Sequence, residues 1–387
     1  FTLNSLTSMP LRHGYLHIPF CHRVCPYCSF FKHTPGSTDI PAFIDALLTE
    51  VRLQTARFPF QPTTLYFGGG TPTFLSETHL DDLLTRLRDI IDLSQLTEFT
   101  FEANPRTVPP KKAELLRAHG VTRVSLGVQA WDEPTLATLG RDHTPEEAAA
   151  TYATLRQTGF DSVNIDLMFS IPGQTLATWK ATLDRTLDLA PDHVSAYNLN
   201  YEEDTEFFDR LARGHYRELP DQDADFFFTA LDRLEAAGYR HYEISNYARP
   251  GHTSRHNAAY WFSQDYLGLG PGCTSTIAGR RWQNLGDTAG YITRLQAGEL
   301  PGTDHEDLTP EQRRTERFGL ELRTLQGLPR DLVLPPQLPL LQQLAQDGLI
   351  HLSDTHITLT RLGKPLADSI AVARSEERRV GKECRSR

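Results

Sequence analysis

Cysteine is scarce in this chain: five in 387 residues, too few for a disulfide framework in a protein of this size. Methionine is scarcer still, with two, and Met9 is the first of them. No apolar run approaches the roughly 18 residues of a membrane-spanning helix, so the reading excludes a helical membrane protein. Basic residues are outnumbered, 39 Lys and Arg against 49 Asp and Glu, for a formal charge of −10. With no Lys/Arg stripe interleaved with aromatics in the body, nucleic acid is not an expected partner. Three of the five cysteines crowd into eight residues, which in a reducing compartment points to metal and a cytoplasmic protein.

The two ends read differently from the body. Residues 1–8 (FTLNSLTS) precede Met9, lack the regions of a signal peptide, and are expected to be a non-native or upstream leader. Residues 374–387 (RSEERRVGKECRSR) hold six basic and three acidic side chains and are expected to be a disordered or non-native tail.

Between the ends, β-branched and aromatic runs recur before turn residues at 15–19, 63–67, 98–102, 123–128, 162–169 and 193–198. Stretches with apolar residues at helical spacing separate them, such as Phe43, Leu47, Leu48 and Val51. Six βα repeats predict an α/β fold, a partial (β/α)6 TIM-type barrel over 9–205, with function at the carboxyl ends of its strands. An extension over 206–300 follows, opening with a helix at 221–238 and continuing in a Gly- and aromatic-rich segment at 239–286. The last ordered part, 301–373, is a mostly helical, winged-helix-like domain. It shows no basic recognition helix and reads as a packing module.

Cys21, Cys25 and Cys28 form CHRVCPYC directly after the first strand. Three thiolates at these spacings can hold one face of a cubane and leave the fourth iron open for chemistry. Zinc is the alternative, and it needs a fourth ligand, which His17, His22 or His33 could supply. Gly68-Gly69-Gly70-Thr71-Pro72 follows the second strand, where a glycine run lets backbone approach a ligand closely. Glu102, Gln129, Arg141 and Asp166 end or follow strands three to five. They are either paired core groups or ligands gathered at the barrel mouth.

A later segment, His256-Asn257-Ala258-Ala259-Tyr260-Trp261, sets an imidazole beside flat aromatic surfaces. Imidazole is an axial ligand for heme iron and aromatic rings suit a porphyrin face. The plainer reading makes His256 a turn cap and Tyr260 and Trp261 seam filling. Cys273, in GPGCTST, is expected to be a buried free thiol.

The C-x3-C-x2-C spacing with Tyr27 before the third cysteine resembles the radical S-adenosylmethionine (SAM) superfamily. The likeness extends over the ordered length to the coproporphyrinogen oxidase-like group, through YFGGGTPT, FEANP, SLGVQAW, LGRDHT, DLMFSIPGQT, YEISNYARPGH and RHNAAYWFSQDYLGLGPG. It implies a [4Fe–4S] cluster on Cys21, Cys25 and Cys28, with SAM on the open iron. It further implies SAM contacts from Tyr15, Tyr27, Gly69, Gly70, Thr71, Glu102, Gln129, Arg141, Asp166 and Asn200. Two branches differ. In coproporphyrinogen III oxidases another cysteine stands two residues after the third and a longer segment precedes the first strand. Here Phe30 takes that position, and CPYCSF with HNAAYW resembles the HemW heme chaperone family instead. That resemblance implies heme on His256, Tyr260 and Trp261, with His241 and His252 as lesser candidates. It also implies an acceptor protein for the heme and an electron donor such as a flavodoxin or ferredoxin. Peripheral contact with membrane-bound acceptors and a homodimer remain open options.

Overall fold

The computed structural model describes residues 9–371. The expectations for 1–8 and 374–387 lie outside the described residues.

Alternation of strand and helix follows the expected order. The strands are β1 (Leu11–Ile18), β2 (Phe60–Gly69), β3 (Glu98–Ala103), β4 (Arg123–Gln129), β5 (Ser162–Phe169) and β6 (His193–Asn198). Between them lie α1 (Ile40–Arg57), α2 (Glu77–Arg88), α3 (Pro110–Ala118), α4 (Glu133–Thr138), α5 (Pro145–Thr158) and α6 (Leu176–Leu189). The helices start where the sequence supplies caps. Asp39 accepts from the Ala42 amide, Ser76 from His79, and Thr144 with Glu147 closes a reciprocal capping box.

β1 to β6 pair in order and in parallel and are mostly buried, β6 losing cover only at Tyr197 and Asn198, as strands covered on both faces are expected to be. Helix faces such as Phe43, Leu47 and Val51 of α1 close over the sheet, and one apolar core joins them to Leu65, Phe67, Phe101 and Val124.

The sheet does not stop after β6. It runs β12-β11-β10-β9-β1-β2-β3-β4-β5-β6-β8-β7 and stays open, a partial barrel with antiparallel additions at either end. After α7 (Glu206–Ala212) and α8 (Pro220–Ala236), β7 (Arg240–Glu243) and β8 (Asn246–Ala248) pair antiparallel beside β6. A short helix, α9 (Arg255–Trp261), precedes β9 (Tyr266–Leu269), which joins β1 in parallel. β10 (Thr274–Ile277), β11 (Arg280–Asn284) and, after α10 (Thr288–Gln296), β12 (Gly302–Asp307) extend that side as an antiparallel meander ending in a free edge.

A terminal module has its own small core around Phe318, Leu322, Leu341, Ile350 and Ile357. It is built from α11 (Pro310–Glu321), β13 (Leu328–Pro329), α12 (Leu338–Gln346), β14 (Ile350–Leu352) and β15 (His356–Leu359), the strands ordered β13-β15-β14.

Glu50 ties the extension to the barrel. Its fully buried carboxylate, on α1, accepts from the Gly270 amide at 2.7 Å, the Asn284 amide at 2.7 Å and the Tyr291 hydroxyl at 2.6 Å. Burial outweighs these donors and raises its pKa from 4.5 to about 7. An acid whose folded pKa is raised stabilises the fold fully below its unfolded pKa, and that contribution is lost as pH rises to the folded value. Stability of the native protein relative to Glu50→Gln should therefore fall by a few kcal/mol between pH 4.5 and about 7, then level off. Paired denaturant titrations across that range check it; a flat difference would contradict the assignment.

Candidate cofactor site at the barrel mouth

The chain leaving β1 makes a loop that returns on itself. The Cys21 amide donates to the His33 carbonyl at 3.0 Å and the His33 amide to the Pro19 carbonyl at 2.9 Å, closing residues 21–33 at the neck. The end of β2 is stitched to the same place, with the Gly70 amide on the Ile18 carbonyl and the Thr71 amide on the Phe20 carbonyl. Three further contacts hold the tip. Pro26 packs on Gly140, its carbonyl accepts from the Phe207 amide at 3.1 Å, and the Lys32 ammonium donates to the Cys28 carbonyl.

This loop brings Cys21, Cys25 and Cys28 to one cavity of about 80 Å³, together with Tyr27, Gly69, Gly70, Thr71 and Arg141. Asn104 and Asp142 line it as well, two residues the sequence reading quoted in FEANP and LGRDH without giving them a role. Thr71 Oγ1 lies 3.7 Å from the Cys21 sulfur and an Arg141 guanidinium nitrogen 3.6 Å from the Cys25 sulfur. Arg141 also donates to the Gly127 carbonyl at 2.7 Å, while its buried Nε has no partner among the described residues. Burial pushes the Cys21 thiol up to about 11 and raises Cys28, so loading a metal here releases protons.

The donor set suits a cluster better than a single ion. Three thiolates on one loop suffice for three corners of a cubane and leave one iron open, whereas a closed zinc site needs a fourth ligand. Of the three histidines that could supply a fourth zinc ligand, His17 and His33 are engaged elsewhere, while His22 lines the cysteine cavity itself. His17 Nε2 donates to the Phe31 carbonyl at 2.6 Å and its Nδ1 accepts from the Tyr15 hydroxyl at 3.2 Å. His33 is held by the Thr34 carbonyl and Thr288, and His22 stands edge-on to Phe74.

The glycine run serves the chain's own packing. A Cβ on Gly68 would meet the Glu102 carboxylate at 3.0 Å, one on Gly69 the His17 ring at 2.6 Å, and one on Gly70 the Pro19 backbone at 2.8 Å. Gly69 also holds φ +109, outside the range of most side chains.

Deeper in the lumen the expected polar residues are largely satisfied by one another. Glu102 accepts from the Tyr66 hydroxyl at 2.8 Å and the Gly69 amide at 3.1 Å, and burial raises it to about 7. Tyr15 stacks on Tyr66 with ring centroids 5.9 Å apart. Asp166 accepts from Ser125 at 2.9 Å and Asn164 at 2.7 Å, and burial raises its pKa. Gln129 sits at a bulge closing β4 with φ +70, an unusual value for a residue with a side chain, and lies beside Gly127 and Arg141. Asn200 is not brought to this cavity. It lines another, of about 420 Å³, with Ser170, Gln174 and Tyr201.

The HNAAYW segment lies at the opposite end of the barrel. It forms α9, whose first amides are capped from β3 by Glu98, accepting from Arg255 at 2.7 Å and His256 at 2.9 Å. His256 is buried, and burial lowers its pKa to about 3, so it is neutral. His13, also lowered by burial, donates from Nε2 to Gln264 at 2.6 Å. One direction then satisfies the remaining bonds. Thr64 donates to His13 Nδ1 at 2.8 Å, His256 Nδ1 donates to Thr64 at 2.8 Å, and the Tyr260 hydroxyl donates to His256 Nε2 at 3.0 Å. The expected heme ligand thus has both ring nitrogens occupied and its ring stacked on Tyr66, so axial ligation would require breaking these contacts. Tyr260 and Trp261 are half-buried. His241 stacks on Tyr247 and bonds the Ile244 carbonyl, His252 lies 4.0 Å from Asp192, and the Cys273 thiol is buried on the Leu269 carbonyl.

An open parallel barrel that carries three cysteines on its first βα loop is the architecture of a radical SAM protein, and residues 15–186 match the Radical SAM superfamily. Full-length comparison narrows this. The chain is 34% identical over 375 residues to the heme chaperone HemW of Bacillus subtilis, covering 93% of this chain and 98% of that one. It is 33% identical to HemW of Escherichia coli, covering 94% and 98%. The chain belongs to the HemW family. Among solved structures it resembles the radical SAM enzyme coproporphyrinogen III oxidase (HemN) of Escherichia coli, with TM-score 0.82 and 25% identity over 96% of this chain and 91% of that one.

Two outcomes are expected. Cys25→Ala should abolish the visible absorbance of an anaerobically reconstituted cluster while leaving the far-ultraviolet circular dichroism unchanged; a retained cluster would remove Cys25 from the ligand set. His256→Ala should lower unfolding stability by about 2–4 kcal/mol, because it opens a cavity and strands Thr64 and Tyr260. Unchanged denaturation would mean that this buried network does not form.

Proposed function

We propose that this protein carries heme to an acceptor protein, and that it holds a [4Fe–4S] cluster on Cys21, Cys25 and Cys28 with SAM at the barrel mouth. The observation that carries the reading is likeness to heme chaperones along nearly the whole chain, barrel, extension and terminal module together. When bound, the cluster supplies an electron to SAM or a redox state that SAM senses. The chain's own residues hold and shield it. Loop 21–33 presents the thiols and Arg141 sets positive charge beside Cys25, while Glu102, Gln129 and Asp166, outside the lining of the cysteine cavity, would offer polar groups toward SAM.

The division of labour we propose is a partial barrel over 9–205, an extension from 206 bearing the heme-associated segment, and a terminal module; the expected boundary at 300 moves, because β12 (Gly302–Asp307) pairs with the extension and the module begins at α11. Tyr260 and Trp261 would meet heme at the surface, with His256 supporting them from inside. The proposal further includes a cytoplasmic location, a flavodoxin or ferredoxin as electron donor, membrane-bound acceptors met from the periphery, a homodimer, and no nucleic-acid partner. No helix among the described residues is long and apolar enough to cross a membrane.

A second reading, oxidative decarboxylation of coproporphyrinogen III, is favoured by the structural likeness to the oxidase. Against it stands Phe30 at the position expected to hold an extra cysteine, 69% exposed within the thiol loop. The test is the reconstituted protein with SAM and a reductant, given coproporphyrinogen III in one arm and hemin in the other. Stoichiometric hemin uptake with no porphyrinogen product is expected. Turnover to protoporphyrinogen would replace the carrier reading with the oxidase.

A further inference from the structure

A cavity of about 590 Å³ opens beside the HNAAYW helix, in the seam between the sheet extension and the terminal module. That volume is within the roughly 300–1,000 Å³ of small-molecule sites, whereas the cavity at the cysteines is far below it. Tyr260 and Tyr266 form one wall, edge to face with ring centroids 4.6 Å apart, and Leu308, Leu320 and Leu332 form apolar surface opposite. The lumen relay ends here as well, since Gln264, which accepts from His13, lines the same cavity as Tyr260.

Its charge is the reverse of the protein's. On a chain of formal charge −10, four arginines line this cavity against Asp265 and Glu316. Two of them are committed: Arg281 makes a two-pronged pair with Glu316 at 2.7 and 2.8 Å, bridging β11 to α11, and Arg317 pairs with Glu321 at 2.6 Å. Arg313 and Arg314 make no ion pair among the described residues. The combination is a flat aromatic and aliphatic slot with two guanidinium groups on α11 that no carboxylate pairs at contact distance among the described residues, although Arg313 acts on Asp265 across the cavity. It fits a planar, apolar ligand that carries carboxylates.

We infer that this seam cavity is the heme seat, with the macrocycle between the Tyr260–Tyr266 wall and the leucines and the two propionates on Arg313 and Arg314. The inference rests on the carrier reading and adds the position of the ligand and the residues that recognise its acidic edge. His256 acts here as a positioning residue, fixing the Tyr260 hydroxyl from inside the barrel without touching the ligand.

The test is titration of the cluster-loaded protein with hemin and with hemin dimethyl ester, whose propionates are capped, read by difference absorbance. It is run on the native protein, R313E/R314E and the milder R313Q/R314Q, with thermal midpoints as the folding control. Loss of one charge-assisted hydrogen bond is worth about tenfold in affinity. Hemin should bind R313E/R314E at least about tenfold more weakly and R313Q/R314Q to an intermediate degree. The ester should bind all three proteins alike and weakly. Native hemin affinity in either arginine variant, with the native melting point kept, overturns the seat while leaving the carrier reading intact. Failure of the native protein to take up hemin overturns both.

Discussion

A carboxylate in the middle of a protein persists only where donors meet its oxygens, and this barrel is organised around four that do. Glu102 closes the mouth through Tyr66 and the Gly69 amide, and Asp166 gathers Ser125 and Asn164 in the lumen. Glu98 caps the helix at the other end, and Glu50 clamps the extension to the outer face. Each joins segments far apart in sequence. Removing the donors would leave a buried charge or force its protonation, so these contacts set the register of the elements that carry them.

The same requirement links the two ends of the lumen. His256 stacks on Tyr66, Tyr66 bonds Glu102, and Glu102 holds the Gly69 amide at the wall of the cysteine cavity. A parallel path runs from Tyr15 through His17 to the Phe31 carbonyl in the thiol loop. The helix that stoppers one end and the loop that presents sulfur at the other are therefore parts of one rigid interior.

Much of this was legible in the sequence. Six strands fell where β-branched runs met turn residues, because parallel strands covered on both faces read as continuous apolar segments. The cysteine spacing placed the mouth, and Tyr27, Gly69, Gly70, Thr71 and Arg141 do converge there. What was hidden depends on contacts distant in sequence. Strands β7 to β11 span only three to five residues each, too short to show a period. The glycine run was legible as a close approach, but not that His17, Glu102 and the Pro19 backbone are what a Cβ there would meet, while Gly69 and Gly70 also line the cysteine cavity. His256 read either as a heme ligand or as a turn cap, because nothing in HNAAYW reveals Thr64 on one side of it and Glu98 behind it.

An open barrel also has to deal with its last strand. One end of the sheet is shielded, since Glu243 of β7 bridges to Thr324 and the Tyr242 carbonyl accepts from the Leu325 amide. The other end, β12, has no strand on its outer side among the described residues, but its sequence is GTDHED and Asp307 is held by Arg280 at 2.7 and 3.0 Å. Acidic side chains on a short strand repel a second copy laid alongside it, which keeps the edge from templating intermolecular sheet growth. An acidic edge on a twelve-stranded open sheet disfavours growth through its exposed backbone, and a partner that paired there would need basic residues facing that edge.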